Sequence, residues 1–90
     1  MKVWCIPVNF PNPEKEPEQA EAARKFIAHM KGLHGMSVQD GLVVLTFSEK
    51  EDARAAKWKL EEFSPVALHM IEGTLTEDNR KLNLNRVVSE

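Results

Sequence analysis

The stretch Gly35–Phe47, GMSVQDGLVVLTF, decides how the rest of the chain is read. Asp40-Gly41 stands between two apolar runs, and an Asp-Gly pair readily adopts the positive-φ conformations of a two-residue hairpin turn. Such a turn fixes the register: Gln39 faces Leu42, Val38 faces Val43, Ser37 faces Val44 and Met36 faces Leu45. Side chains alternate across a strand. Met36, Val38, Val43, Leu45 and Phe47 therefore share one face, and Ser37, Gln39, Leu42, Val44 and Thr46 share the other. The first set is apolar throughout and is expected to face the core.

After the hairpin, Ser48 and Glu51 have the spacing of an S-x-x-E capping box, which predicts a helix start. Ala53, Ala56, Leu60 and Phe63 make its apolar stripe, and Ser64-Pro65 ends it. The run from Val66 to Thr76, VALHMIEGTLT, predicts a strand with a bulge at Gly73. The polar remainder, EDNRKLNLNRVVSE from Glu77, alternates at Leu82 and Leu84 and reads as a tail or an extra edge strand.

Before the hairpin, KVWCIPV (Lys2–Val8) is β-branched and aromatic enough for a strand that Pro7 is expected to end or confine to a bulge. A loop follows, then a helix from near Pro17. Glu14, Glu16, Glu18 and Glu21 suit the positive end of its dipole, and Ala20, Ala23, Phe26, Ile27 and Met30 form its inner face. Gly32 predicts a left-handed stop, with Leu33 folding back over the last turn. Strand, helix, strand, strand, helix, strand is the split βαβ, or ferredoxin-like, pattern of an α+β domain. The expectation is one domain over residues 1–76, with a polar tail or edge strand at 77–90. In it both helices cover one face of a four-stranded antiparallel sheet whose first and third strands are central.

The segment 40–63 resembles an RNA-recognition motif, whose third strand reads basic, Gly, aromatic, small, aromatic, aliphatic, any, aromatic. Gly41, Leu45 and Phe47 match positions that determine the fold. Asp40 stands at the basic position, and Leu42 and Val44 stand where that family stacks bases. Aliphatic side chains have no π-face, and base–aromatic stacking is worth about 1–3 kcal/mol per base. The resemblance implies the architecture, without that family's stacking platform.

Ninety residues with 42% hydrophobic and 29% charged content suit one modest core. A net charge of −2 and a pI near 5.9 give no global attraction to phosphates or anionic membranes. The single cysteine, Cys5, excludes an internal disulfide framework. The N-terminal run, broken by prolines at 7, 11 and 13, reads as neither a signal peptide nor a membrane span, so a cytoplasmic protein is expected.

The leading functional expectation is a small non-enzymatic module that binds a protein partner or a second copy of itself, a homodimer in the latter case. Its expected surface is the uncovered sheet face with Leu42, Val44 and Thr46, flanked by Trp58, which lies off the stripe of the second helix. Nucleic-acid binding through Arg80, Lys81 and Arg86, set among Asn79, Asn83 and Asn85, is the first alternative. A small-molecule pocket or enzyme site between helices and sheet, using His69, Cys5 or Trp4, is the second. His29 and His34 are five apart across Gly32, off any common helical face, so no metal or other cofactor is expected.

Overall fold

The computed structural model describes residues 1–39, 42–62, 68–78 and 81–88. In chain order it comprises β1 (Lys2–Val8), α1 (Pro17–Ala28), β2 (Leu33–Gln39), β3 (Leu42–Phe47), α2 (Lys50–Glu61), β4 (Met70–Leu75) and β5 (Leu82–Val88). All five strands join one antiparallel sheet in the order β2-β3-β1-β4-β5. The sheet therefore has one strand more than the four expected, and β1 alone is central. The extra strand is anchored at its start: the Thr76 amide donates to the Lys81 carbonyl, and the Lys81 amide donates to the Thr76 hydroxyl.

The hairpin register is the expected one, with Met36, Ser37, Val38 and Gln39 opposite Leu45, Val44, Val43 and Leu42. Asp40 and Gly41 lie outside the described residues, as do Phe63, Ser64 and Pro65. Pro7 does not end β1 but pairs with Val44 inside it. The pairing of β1 with β4 stops at Cys5 and Ile71, so β1 has only one neighbour at Pro7. There the missing N–H costs no ladder bond, as at a sheet edge.

One sheet face carries the larger core. Ile6, Val8, Leu45, Phe47 and Met70 meet Ile27 of α1 and Ala53 and Ala56 of α2, with Trp4, Val43, Leu60 and Leu33 packed around them. Phe47, Ile6 and Leu45 are fully buried, each contributing about 1.5–3 kcal/mol. Trp4 and Ile6 thus lie on the helix side. Alanine at 53 and 56 lets the α2 backbone approach the sheet closely. The predicted capping box is absent: α2 starts at Lys50 with Glu49 as N-cap and no side-chain cap bond. Ser48 stands one position too early, leaving Glu51 and Asp52 to complement the dipole. Gly32 has φ +79°, and a Cβ there would lie 2.2 Å from the Asp52 carboxylate. Its lack of a side chain admits both the left-handed turn and the close approach of α2.

Two further expectations fail on this face. Met36 is 51% exposed and Val38 is 74% exposed. Both belong to an edge strand, and Leu33 is the β2 residue that reaches the main core. Phe26, expected inside, is 39% exposed, while Ala20 and Ile27 are buried. Phe26 lies one position, about 100°, from Ile27, at the border of the inner face.

The opposite face holds a second, smaller cluster: Val3, Cys5, Val44 and Leu75, with Ile71 and Leu82 packed against it. A cleft on this side is lined by residues 34–39 of β2, by Thr46 and by Leu75 and Leu82. In a flat sheet, strands about 4.8 Å apart would put β2 some 14 Å from β4 and 19 Å from β5. A shared cleft requires the sheet to curl toward this face, making it concave. Gly73 permits the tightest approach, because a Cβ there would lie 2.9 Å from the Asn83 carbonyl oxygen and 3.4 Å from the Cys5 sulfur. The register of β4 and β5 shifts beside it, between Glu72 and Gly73, with Asn85 as the additional residue on β5. Gly73→Ala is expected to destabilise the fold by about 1–3 kcal/mol, read as a lower urea midpoint with an unchanged slope. An unaltered midpoint would contradict this packing.

Candidate functional site on the concave sheet face

Alternation sends Trp4, Ile6 and Val8 of β1, Val43, Leu45 and Phe47 of β3 and Met70 of β4 toward the helices, and their neighbours in the chain toward the concave face. That alternation builds the floor of the face from Val3, Cys5, Val44, Thr46 and Leu75. Val44 is 1% exposed and Thr46 4%. The expectation that Val44 and Thr46 present themselves freely at the surface is therefore corrected: the curl closes neighbouring strands over them. Leu42 remains half-buried at the end of β3, opposite Gln39. The cleft has a volume of about 460 Å³, within the range of small ligand sites. Its wall is the edge strand β2, on which Ser37 and Gln39 share the concave side with Leu42 and Val44. The Ser37 hydroxyl oxygen is buried and, among the described residues, has no hydrogen-bond partner.

Cys5 is part of this floor, fully buried, its sulfur 4.0 Å from the Thr46 hydroxyl oxygen. Burial pushes the thiol up from its ordinary value, and the Thr46 contact only partly offsets it. A thiol held neutral and shielded is a poor nucleophile. The other members of the expected small-molecule site are elsewhere: Trp4 is on the helix side, and His69 is exposed just before β4. The three do not converge. His29 and His34 are both exposed, and among the described residues no three metal-ligating side chains gather.

The candidate nucleic-acid residues are also separated. Arg80 lies outside the described residues, and Lys81 is exposed beside Thr76. Arg86 is committed to Glu72, donating from Nε and Nη2 to one carboxylate oxygen at 3.2 Å each. Lys2 holds the other oxygen at 3.1 Å and places its ammonium 5.8 Å from the Trp4 ring centroid. Sequence reading missed this Lys2, Trp4, Glu72 and Arg86 cluster, because cross-strand register alone brings the four together. Trp58 is 61% exposed on α2 and does not serve as a lid over the core. Among the described residues no helix is long and apolar enough to cross a membrane. No family model matches the chain, and neither a curated protein nor a solved structure shows significant similarity to it.

Two measurements follow from these environments. In the folded protein Cys5 should resist a water-soluble thiol reagent and react fully in denaturant; rapid native labelling would place the thiol at the surface. Hydrogen bonding to Lys2, then to Arg86, holds the Glu72 carboxyl below its ordinary value. Its stabilising contribution is thus present above the unfolded-state value and lost as pH falls through the depressed folded one. Glu72→Gln should lower the melting temperature at neutral pH, with the difference from wild type disappearing in strong acid. A difference that persists there would exclude ionisation of Glu72 as its source.

Proposed function

We propose that the chain is a small non-enzymatic protein-interaction module that receives an extended polypeptide on its concave sheet face. The carrying observation is the cleft along β2, where an edge strand lies beside a wall formed by Leu75 and Leu82. An edge strand leaves alternate backbone N–H and C=O groups unpaired toward its free side, and an added strand satisfies them with regular spacing. Leu82 on the cleft wall and Leu42 at the end of β3, both half-buried, then supply apolar contacts for alternate side chains. Trp58 offers a second contact on the helical flank, of the residue type most often found as a binding anchor.

The fold reading that accompanies this function is a ferredoxin-like βαββαβ core comprising β1 to β4 and the two helices, with β5 appended beside β4. It is supported by the order β2-β3-β1-β4 within the sheet and by the shared cluster of Ile27, Ala53 and Ala56. Such a scaffold serves many activities, so the function rests on the cleft and not on the architecture.

Selection of extended peptides from a random display library on the immobilised chain tests the reading. The selected peptides should share an alternating apolar pattern and bind Leu42→Asp at least about ten-fold more weakly, a loss of about 1.4 kcal/mol. The variant's circular dichroism should match that of wild type, since Leu42 is only half-buried at a strand end. If no peptide is enriched, or if enriched peptides bind both proteins equally, the concave face is not the interaction site.

A further inference from the structure

We infer that β2 is a self-association edge, pairing antiparallel with β2 of a second copy about a two-fold axis through Ser37. The inference names a partner for the interaction-module reading and rests on it. It starts from the contrast between the two outer strands. β5 exposes Leu84 and Val87 as well, but sets them among the exposed Asn83, Asn85 and Arg86 and carries the irregularity at Asn85. Polar and charged side chains with a bulge are devices that discourage edge-to-edge pairing. β2, LHGMSVQ, has no Lys, Arg, Asp, Glu or Pro. Its own irregularity lies at its start, between Leu33 and Gly35, so residues 35–39 keep an unbroken register with β3.

The side chains of β2 select both the occupant and the register. Met36 and Val38 are two residues apart on the same side, and both are exposed. With the axis at Ser37, Met36 of each copy lies opposite Val38 of the other, giving two apolar cross-strand pairs. Shifting the axis to Met36 would set Val38 against His34, and shifting it to Val38 would leave Met36 with no β2 residue opposite it. Only the Ser37 axis pairs all four apolar residues with one another. The same axis places the two Ser37 side chains opposite each other on the concave side. A hydroxyl both donates and accepts, so a χ1 rotation of each lets the pair satisfy the oxygen that has no partner among the described residues of one chain. No like charges face one another across the junction.

Sedimentation equilibrium over a wide concentration range tests this, using wild type, Val38→Lys, Ser37→Cys and Asn85→Cys. Wild type should form a dimer. Val38→Lys places a charge at both symmetry-related pairs and should raise the dissociation constant at least about ten-fold. Its circular dichroism should be unchanged because Val38 is already exposed. Paired strands bring opposite Cα atoms to about 4.5–5.5 Å, within disulfide reach. Copper-phenanthroline oxidation should therefore convert Ser37→Cys, but not Asn85→Cys, into a covalent dimer, with buried Cys5 taking no part. A dimer indifferent to Val38→Lys, or cross-linked through Asn85→Cys but not Ser37→Cys, would overturn the inference and leave the interaction-module reading standing. A monomer at every concentration would also overturn it. That reading would then be decided separately by the peptide selection.

Discussion

The structure depends on β1 being buried on both faces while pairing with β3 over Trp4–Val8 and with β4 over Lys2–Cys5. Its alternation sends Ile6 and Val8 toward the helices and Val3 and Cys5 toward the concave face, and all four are in the buried core. A strand that alternates between two apolar environments cannot slip by one residue without exchanging their contents. β1 therefore fixes the registers of β3 and β4, and through them the positions of both edge strands. The two clusters differ in size. Phe47, Leu45 and Met70 join Ile6 on the helix side, and this larger burial supplies most of the stabilisation. The smaller concave cluster contributes less energy but determines the shape of the exposed face.

That shape follows from how closely neighbouring strands approach one another. Small residues at critical places let the strands curl: Gly73 brings β4 against β5 and Cys5, and its neighbourhood carries the register shift. The curl sequesters Val44 and Thr46 and leaves a cleft bordered by β2. The two edges are chemically unequal: β2 carries no Lys, Arg, Asp or Glu, whereas β5 carries Arg86 and two asparagines. The charged cluster of Lys2, Glu72 and Arg86 lies across β1, β4 and β5, away from β2, and acts as a brace for the β5 side of the sheet. Exposed ion pairs contribute little individually. A carboxylate shared between two cations nevertheless ties β1, β4 and β5 together at this corner of the sheet.

Much of the backbone is readable in the sequence. Asp40-Gly41 with its flanking alternation yields the β2–β3 register residue by residue, and the helical spacing of Ala20 with Ile27 and of Ala53 with Ala56 marks both inner faces. Errors arise where a local rule meets a tertiary boundary. Met36 and Val38 fit a core pattern, yet their strand is at the sheet edge. Ser48 and Glu51 have capping-box spacing, but the helix begins one residue later. Pro7 looks like a strand breaker and is tolerated because β4 has already stopped pairing there.

For the candidate site the division is sharper. The sequence by itself determined the order of the first four strands and the two helices, the pairing of β2 with β3 and which residues alternate together, because these follow from short-range periodicity and turn chemistry. Only the tertiary structure decided the sheet's curvature, the burial of Val44, which face of the sheet carries Trp4 and the meeting of β2 with Leu75 and Leu82 across the cleft. These depend on contacts between segments remote in the chain, whose geometry is set by how closely whole strands can approach, and no local pattern encodes that distance.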